Sequence, residues 1–389
     1  MFSIINARII TPAGVIEDGS LTIQNGVIVD VQEGGKRPPE TELLDAGGNW
    51  LAPGFIDIHV HGGGGYDFMD NTVEAFHAIA ELHAKHGTTA MLPTTLSSEL
   101  ADLYKTIDCY ESSITHPHSG SRYLGLHLEG PYFAMEQRGA QDPRYIRNPD
   151  PEEYLAIMEK TNKIRRWSAA PELPGALEFA DVCRSKGILP ALAHTNAVYD
   201  EILNGLAHGY TLATHLYSAM SGITRKNGFR LAGAIESSLL LDEIDVEVIA
   251  DGAHLPEALL KLIVKIKGRE KIALVTDAMR AAGTKVSTSY LGSKSHGLEV
   301  IIEDEVAKLP DRSAFAGSVA TADRLVRTMV ELAGVSIPDA VYMMSTTPAR
   351  IMGVQNKMGS IEKGKFADLV LFDDNIQIQQ TFIGGQPIM

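Results

Sequence analysis

The stretch "PGFIDIHVHGGGGYDFMD", residues 53–70, places two histidines at the end of an apolar run and follows them with four glycines. Because side chains two apart on a strand share a face, His59 and His61 would point to the same side. The glycines resemble a phosphate-binding loop, but no helix start follows at once and the spacing of a dinucleotide fingerprint is missing. We therefore interpret them as a thin loop that passes close to a site built around the two histidines.

Seven further apolar runs follow the same plan, and stretches of helical periodicity such as "TVEAFHAIAELHAKHG" lie between most of them. Together the runs read "GFIDIHVH", "TTAMLPTT", "YLGLHLEG", "RRWSAAPE", "ILPALAHT", "YTLATHLY", "VEVIADGAH" and "KIALVTDA". Apolar runs that alternate with helices predict βα units around a parallel sheet. Eight units suggest an α/β fold with a closed (β/α)8 barrel of the TIM type, whose active site lies at the C-terminal ends of the strands.

The two ends of the chain have a different character, with short strands punctuated by glycine turns. Examples are "GSLTIQNGVIVDVQEGG" near the start and "GSIEKGKFADLVLFDDNIQIQQTFIGGQPI" at the end. Each piece alone is too small to bury a core, so the two ends are expected to pack together. We predict one discontinuous β-sandwich domain over 1–52 and 353–389, and a barrel domain over 53–352.

Composition limits the function classes. The chain has 389 residues, of which 44% are hydrophobic and 21% charged, as in an ordinary globular protein. Its formal charge of -15 and the lack of a long basic run argue against nucleic-acid and membrane-surface partners. Cys109 and Cys183 lack disulfide or metal-site spacing, so we expect packing residues in a reducing compartment. Without a signal-peptide pattern or a long apolar run, the expected location is the cytoplasm.

Nearly every predicted barrel strand ends in a histidine or a carboxylate. These residues are His59, His61, Glu129, His194, His215, Asp251 with His254, and Asp277. A single histidine at a strand end is more often structural, but several histidines and carboxylates on one barrel rim indicate a site for a divalent metal ion. Neither cysteine occupies a rim position, which excludes a thiolate site.

The remaining histidines have the simpler interpretation of surface or packing residues, and they are His77, His83, His86, His116, His118, His208 and His296. His127 is the exception, because its strand phase sets it beside Glu129. A supporting role at the site and a purely structural role are equally compatible with that position.

Seven motifs in order resemble the N-acetylglucosamine-6-phosphate deacetylases of the amidohydrolase superfamily. They are "PGFIDIHVHG", "GLHLEGPYF", "AHTNA", "THLYSAM", "IADGAHL", "LVTDAM" and "FAGS", and the resemblance covers essentially the whole chain. It implies metal-dependent hydrolysis of the acetamide of N-acetylglucosamine-6-phosphate to glucosamine-6-phosphate and acetate, in amino-sugar catabolism. It also implies a homodimer in which the loop after the sixth strand lies near the neighbouring subunit.

The resemblance implies roles for individual residues. A catalytic metal ion would be held by Glu129, His194 and His215. Asp277 would be the general base and acid, and His254 would hydrogen-bond the substrate near the acetamide carbonyl. Some family members replace the two histidines at these positions and use one metal ion, whereas this chain has His59 and His61. A second ion bridged by Glu129 is therefore compatible with the sequence, and we expect one or two divalent ions. Zn²⁺ is the first expectation, and nitrogen and oxygen ligands also accept Fe²⁺, Mn²⁺ or Co²⁺.

The chain departs from the family pattern at several positions that would bind the sugar phosphate. Ser218 replaces a usual Asn, although backbone N–H groups of Ser218 and Ala219 can still meet a phosphate. Lys226 stands where the family has Arg, with Arg225 just before it, and Lys cannot make the bidentate contact. Gln141 replaces a His of some members and would touch sugar hydroxyls. These changes keep deacetylation as the interpretation and leave the exact sugar phosphate open.

Three alternatives remain. N-acetylgalactosamine-6-phosphate is an epimeric substrate that sequence does not separate from the gluco compound. Another amidase or deaminase of the superfamily is a second possibility, but the carboxylated lysine common in cyclic amidases has no counterpart in "RRWSAAPE". A non-enzymatic scaffold is disfavoured because every expected metal ligand and Asp277 are present.

Overall fold

A computed structural model describes residues 1–34 and 42–388. In it, both ends of the chain form one mixed β-sheet. Trp50–Pro53 joins the two ends, because it pairs parallel to the N-terminal strand and antiparallel to Leu369–Phe372. The strands are Phe2–Thr11, Gly14–Gln24, Val27–Glu33, Glu42–Asp45, Trp50–Pro53, Leu369–Phe372, Ile378–Ile383 and Gln386–Ile388. The small β-domain made from both ends is confirmed. Its boundaries stay predictions, and its residues 35–41 and 389 lie outside the described residues.

Local sequence explains a hairpin in this sheet and its separate core. Asn25 and Gly26 have φ values of 52° and 79°, the left-handed pair that a tight turn between two twisted strands requires. Apolar side chains from both chain ends, among them Ile4, Leu21 and Phe382, form a buried cluster. The sheet therefore has a hydrophobic core of its own beside the barrel.

Residues 55–274, all of them described, contain the eight parallel strands of the predicted barrel. In chain order they are Phe55–Val60, Thr88–Thr95, Leu126–Glu129, Ile164–Ala169, Leu189–Leu192, Leu212–Ala213, Asp245–Val248 and Ile272–Leu274. Each strand pairs in parallel with the next. The ring closes where the N–H of Asp277 donates to the carbonyl of His59 and the N–H of His61 donates to that of Ala278, both at 2.9 Å. The predicted barrel is confirmed, and every strand overlaps the apolar run that predicted it.

Helices connect the barrel strands and continue after the eighth one. The α-helices are Val73–Lys85, Leu100–Ser113, Pro151–Lys160, Ala176–Ser185, Tyr199–Ala207, Ala234–Leu240, Glu257–Lys267, Ala322–Thr328, Ile337–Met344 and Thr346–Ile351. Short 3₁₀ turns span Phe68–Asp70, Met135–Gln137 and Arg269–Lys271, and a π-helical turn spans Met329–Ala333. Cys109 and Cys183 are buried in two of the helices, which confirms their packing role. Among the described helices, none is both long and apolar enough to cross a membrane.

Additional strands extend the loops that follow the first, sixth and eighth barrel strands. A hairpin of Gly62–Gly63 and Tyr66–Asp67 follows the first strand, and one of Thr224–Lys226 and Phe229–Leu231 follows the sixth. The loop after the eighth strand forms an antiparallel sheet of Thr288–Leu291, Leu298–Glu303, Val306–Lys308 and Phe315–Ser318. Because these loops leave the C-terminal ends of the strands, they surround the rim where the predicted site lies.

The four glycines after His61 form the thin loop that the sequence predicts. A Cβ atom on Gly62 would lie 2.3 Å from the carbonyl oxygen of Tyr66, much closer than van der Waals contact allows. Gly64 and Gly65 have φ values of 63° and 88°, which favour glycine. The stretch therefore turns back on itself directly beside the first histidine pair.

Candidate active site

Six side chains from the ends of five barrel strands converge at a cavity of about 320 Å³ on the barrel rim. They are His59, His61, Glu129, His194, His215 and Asp277, and each is less than a tenth exposed. His59 lies beneath the cavity, whereas the other five line it. The sequence predicts all six, since parallel strands deliver their end residues to one rim.

Glu129 is at the centre of this group. Its Oε1 lies 3.0 Å from Nε2 of His215 and 3.3 Å from Nε2 of His194. Its Oε2 lies 3.4 Å from Nε2 of His61, and His59 Nε2 is 3.6 Å from Oε1. Two possible metal-ligand groups therefore share Glu129, one with His59 and His61 and one with His194 and His215. Imidazole nitrogens with a carboxylate are a suitable ligand set for Zn²⁺ and similar divalent ions.

The backbone turns sharply where three of these residues leave their strands. His194, His215 and Asp277 have φ values of 46°, 34° and 46°, in the left-handed region that residues other than glycine rarely adopt. Flanking hydrogen bonds hold the turn at Asp277, because its carbonyl accepts the N–H of Ser318 at 2.8 Å. Such strained positions are common at functional sites, where the surrounding structure fixes a side chain in one direction.

The second ring nitrogens of two histidines are held by oxygen acceptors. His194 Nδ1 lies 2.8 Å from the carbonyl oxygen of Gln137, and His59 Nδ1 lies 3.3 Å from Oε2 of Glu247. Donation of Nδ1–H to these oxygens leaves the Nε2 lone pair directed at the shared carboxylate. The orientation fits a divalent cation, and residues His59, His61, Glu129, His194 and His215 have the chemistry to hold one or two.

Sequence reasoning missed a buried polar network below these histidines. Arg166 pairs with Glu247, and both are fully buried. Arg166 also donates to Thr214 Oγ1 at 2.7 Å, and Glu247 accepts the backbone N–H of His215 at 3.2 Å. Burial alone would raise the pKa of Glu247, but the charge of Arg166 holds that pKa below its ordinary value. The available signal is a charged residue inside each apolar run, the second arginine of "RRWSA" and the glutamate of "VEVIA".

Asp277 and His254 face the cavity from the segments that follow the eighth and seventh strands. Asp277 Oδ1 lies 3.1 Å from His61 Nε2. Although burial opposes ionisation, electrostatic interaction with His59 and a hydrogen bond from His61 hold the pKa of Asp277 below its usual value. His254 Nδ1 lies 2.8 Å from Oδ2 of Asp251, so its Nε2 is the nitrogen left for a ligand. Asp251 thus orients His254 while Asp277 stays ionised at neutral pH.

The residues predicted to bind the sugar phosphate are only partly brought together. Ser218 and Ala219 line the cavity, although the backbone N–H of Ser218 already donates to the His215 carbonyl at 2.9 Å. Arg225 and Lys226 are exposed on the hairpin after the sixth strand and are not among the lining residues. Their binding roles stay predictions.

Gln141 lines the cavity, as expected for a residue that contacts a ligand. However, its Nε2 donates to Oε2 of Glu129 at 2.8 Å, and its Oε1 accepts the N–H of Ser97 at 2.9 Å. Both polar atoms of the amide therefore already have protein partners. Contact of Gln141 with sugar hydroxyls stays a prediction. Its contact with the Glu129 carboxylate was not predicted from the sequence.

The histidines assigned to surface or packing lie outside both ligand groups of the described residues. His83 is buried, and its Nε2 donates to the Gly62 carbonyl at 3.0 Å. His127 uses both ring nitrogens with hydroxyl groups, those of Thr94 at 3.2 Å and Ser168 at 2.7 Å. It therefore supports the rim from below instead of facing the shared carboxylate.

Comparison with known proteins agrees with this architecture. The amidohydrolase family model matches residues 50–388. The N-acetylgalactosamine-6-phosphate deacetylase of Escherichia coli O157:H7 is 31% identical over 382 residues, covering 97% of each chain. The N-acetylglucosamine-6-phosphate deacetylase of Haemophilus influenzae is 30% identical over 389 residues, covering 99% of this chain and 98% of the relative. The crystal structure of N-acetylglucosamine-6-phosphate deacetylase from Pasteurella multocida is similar with a TM-score of 0.92, 29% identity and 99% coverage of both chains. As its motifs predict, this chain belongs to the amidohydrolase family.

Proposed function

We propose that the protein hydrolyses the acetamide of N-acetylglucosamine-6-phosphate to glucosamine-6-phosphate and acetate, a step of amino-sugar catabolism. The observation that carries this proposal is a carboxylate shared by two histidine pairs, with Asp277 3.1 Å from one of them, in a cavity at the barrel rim. Hexosamine phosphate deacetylases from several organisms match the chain over almost its full length, which supports the substrate class.

In this proposal each residue of the site has a separate role in amide hydrolysis. Glu129, His194 and His215 would hold a divalent ion, which would supply a water of pKa near 7 and polarisation of the acetamide carbonyl. Asp277 takes the proton of the attacking water and returns it to the amine, which leaves poorly as an anion. His254, held by Asp251, hydrogen-bonds the developing negative charge on the carbonyl oxygen.

We propose that the metal is Zn²⁺ at the Glu129, His194 and His215 group, with His59 and His61 available for a second ion. Fe²⁺, Mn²⁺ and Co²⁺ are the alternatives, because availability often decides among ions at nitrogen and oxygen ligands. Metal analysis of purified protein distinguishes an enzyme from a non-enzymatic scaffold, which would carry no stoichiometric ion.

We also propose that the protein is a homodimer and that it is located in the cytoplasm. Support for the homodimer comes from the hairpin after the sixth strand, where Phe229 is 77% exposed and nearby Ile223 is 63% exposed. Support for the location comes from Cys109 and Cys183, both free and buried, which suits a reducing compartment.

Acetate release tests the reaction and its substrate. The substrates are N-acetylglucosamine-6-phosphate, its galacto epimer and unphosphorylated N-acetylglucosamine, with metal content measured on the same preparation. The galacto epimer is the second candidate, since one of the matched relatives is an N-acetylgalactosamine-6-phosphate deacetylase. Fast turnover of the gluco phosphate is expected. Faster turnover of the galacto epimer would change the substrate assignment, and inert sugars with metal-loaded protein would remove the proposed reaction.

The basic hairpin provides a test of phosphate recognition. We expect Arg225→Ala or Lys226→Ala to raise KM for the phosphorylated substrate by about tenfold or more, because hydrogen bonds to a charged group contribute about 1.5–3 kcal/mol. KM for the unphosphorylated sugar should stay nearly constant. Steady-state kinetics on both sugars checks this, with exposed Arg230→Ala on the same hairpin as the control. Equal effects on the two substrates would make Arg225 and Lys226 structural.

A further inference from the structure

The side-chain amide of Gln141 is held in one orientation. Its Oε1 accepts the backbone N–H of Ser97, and its Nε2 donates to Glu129 Oε2. Exchanging the two ends of the amide would set N–H against N–H and oxygen against carboxylate oxygen. Gln141 is only 5% exposed, so water is poorly placed to relieve those contacts. The Gln141 donor is therefore directed at Glu129.

This donor distinguishes the two oxygens of Glu129. Oε1 faces His194 and His215 and is 3.6 Å from Nε2 of His59, whereas Oε2 faces His61 and Gln141. Rotation about the terminal bond of a glutamate is soft, so the carboxylate alone has no strong preference between these directions. The N–H of Gln141 uses one acceptor site of Oε2 and leaves the remaining one open.

We propose that Gln141 is a positioning residue that holds Glu129 between two cation positions and so stabilises the second cation, at His59 and His61. Without the donor, the carboxylate is free to turn both oxygens toward the His194 and His215 position. The inference rests on the proposed metal dependence and not on the identity of the sugar.

One loop segment, from Gln137 to Gln141, contacts ligands of both cation positions. Gln137 provides the carbonyl that holds His194 Nδ1 at 2.8 Å, and four residues later Gln141 reaches Glu129. A turn connects them, in which the N–H of Gln141 donates to the carbonyl of Arg138 at 2.9 Å. The loop after the third strand therefore contacts a ligand of one cation position and the ligand shared by both.

The test measures metal binding directly. Chelator-treated protein is titrated with Zn²⁺ against a chromophoric competitor, which gives the number of ions per chain and a dissociation constant for each. We expect two ions in the wild type. In Gln141→Leu, which keeps the side-chain volume but has no donor, the weaker ion should bind about 10- to 100-fold less tightly, the usual cost of losing a partner behind a metal ligand. The tighter ion should be nearly unaffected.

Three variants make the result specific. Gln141→Ala repeats the loss with a smaller side chain, in case leucine disturbs folding. Gln137→Ala is the matched control, because its side chain bonds Asn196 at 2.7 Å while its backbone carbonyl is retained. In His61→Ala, which removes a ligand of the second position, adding Gln141→Leu should not weaken the remaining ion further.

Several outcomes would overturn the inference: one ion in the wild type, unchanged constants in Gln141→Leu, equal weakening of both ions, or the same loss in Gln137→Ala. Failure of the proposed function is a separate result. Protein that binds two ions, binds the weaker one less tightly in Gln141→Leu and releases acetate from no sugar would keep this inference and remove the proposed reaction.

Discussion

We expect Asp277→Asn to lower acetate release at least about a hundredfold, the typical contribution of a general base or acid. Asparagine keeps the shape of the side chain and an oxygen near His61 Nε2, which the Asp277 carboxylate approaches to 3.1 Å. The amide cannot take the proton of the attacking water. The carboxylate can, because electrostatic interaction with His59 and a hydrogen bond from His61 hold the pKa of Asp277 below its ordinary value despite burial, so that it is ionised at neutral pH.

Metal content separates a chemical effect from a structural one. Asp277 belongs to neither of the two ligand groups around Glu129, so Asp277→Asn should retain the wild-type metal content. Asp304→Asn is a suitable control, because Asp304 is 80% exposed and its φ of 51° suits asparagine. Turnover close to the wild type in Asp277→Asn would remove Asp277 from the mechanism. Loss of metal together with activity would instead make it a ligand.

The residues at strand ends were the predictable part of this site. An apolar run that ends in His, Glu or Asp marks both a barrel strand and its rim residue, as "GFIDIHVH" does for His59 and His61. Once eight runs are recognised, parallel pairing brings their ends together without knowledge of any contact. The topology predicts that these residues gather on one rim, and the resemblance to the deacetylases implies which of them share a metal ion.

The residues that support the ligands were harder to predict. Gln141 reaches Glu129 from an irregular loop, where no periodicity specifies the direction of a side chain. Glu247 lies within a strand, where a lone charge is usually interpreted as solvent-facing, and only the closed barrel turns it toward His59. For Gln141 and Glu247 a tertiary contact decides the role. Motif counting placed Lys226 at a phosphate-binding position, and in the structure it is exposed on the hairpin, so that role stays a prediction.

The largest stability effect is expected from the buried ion pair below the histidines. Arg166→Met removes the guanidinium and leaves the Glu247 carboxylate fully buried. Breaking a buried pair from one side costs about 3–5 kcal/mol, because the remaining charge has lost its compensation. We therefore expect that loss in the free energy of unfolding, measured by denaturant titration at neutral pH. Metal affinity should also fall, since Glu247 accepts hydrogen bonds from His59 and from the backbone of His215.

A second substitution identifies the uncompensated charge as the cause. Glu247→Gln keeps an oxygen acceptor for His59 and His215 but has no charge, so adding it to Arg166→Met should restore about 0.5–3 kcal/mol of stability. The control is Arg312→Met, since Arg312 pairs with Glu303 at the surface with a side chain that is 62% exposed. Exposed pairs contribute about 0–1 kcal/mol, so that variant should remain close to the wild type. A double variant less stable than Arg166→Met would show that the packing and hydrogen bonds of the pair, and not its charge balance, hold this layer of the barrel together.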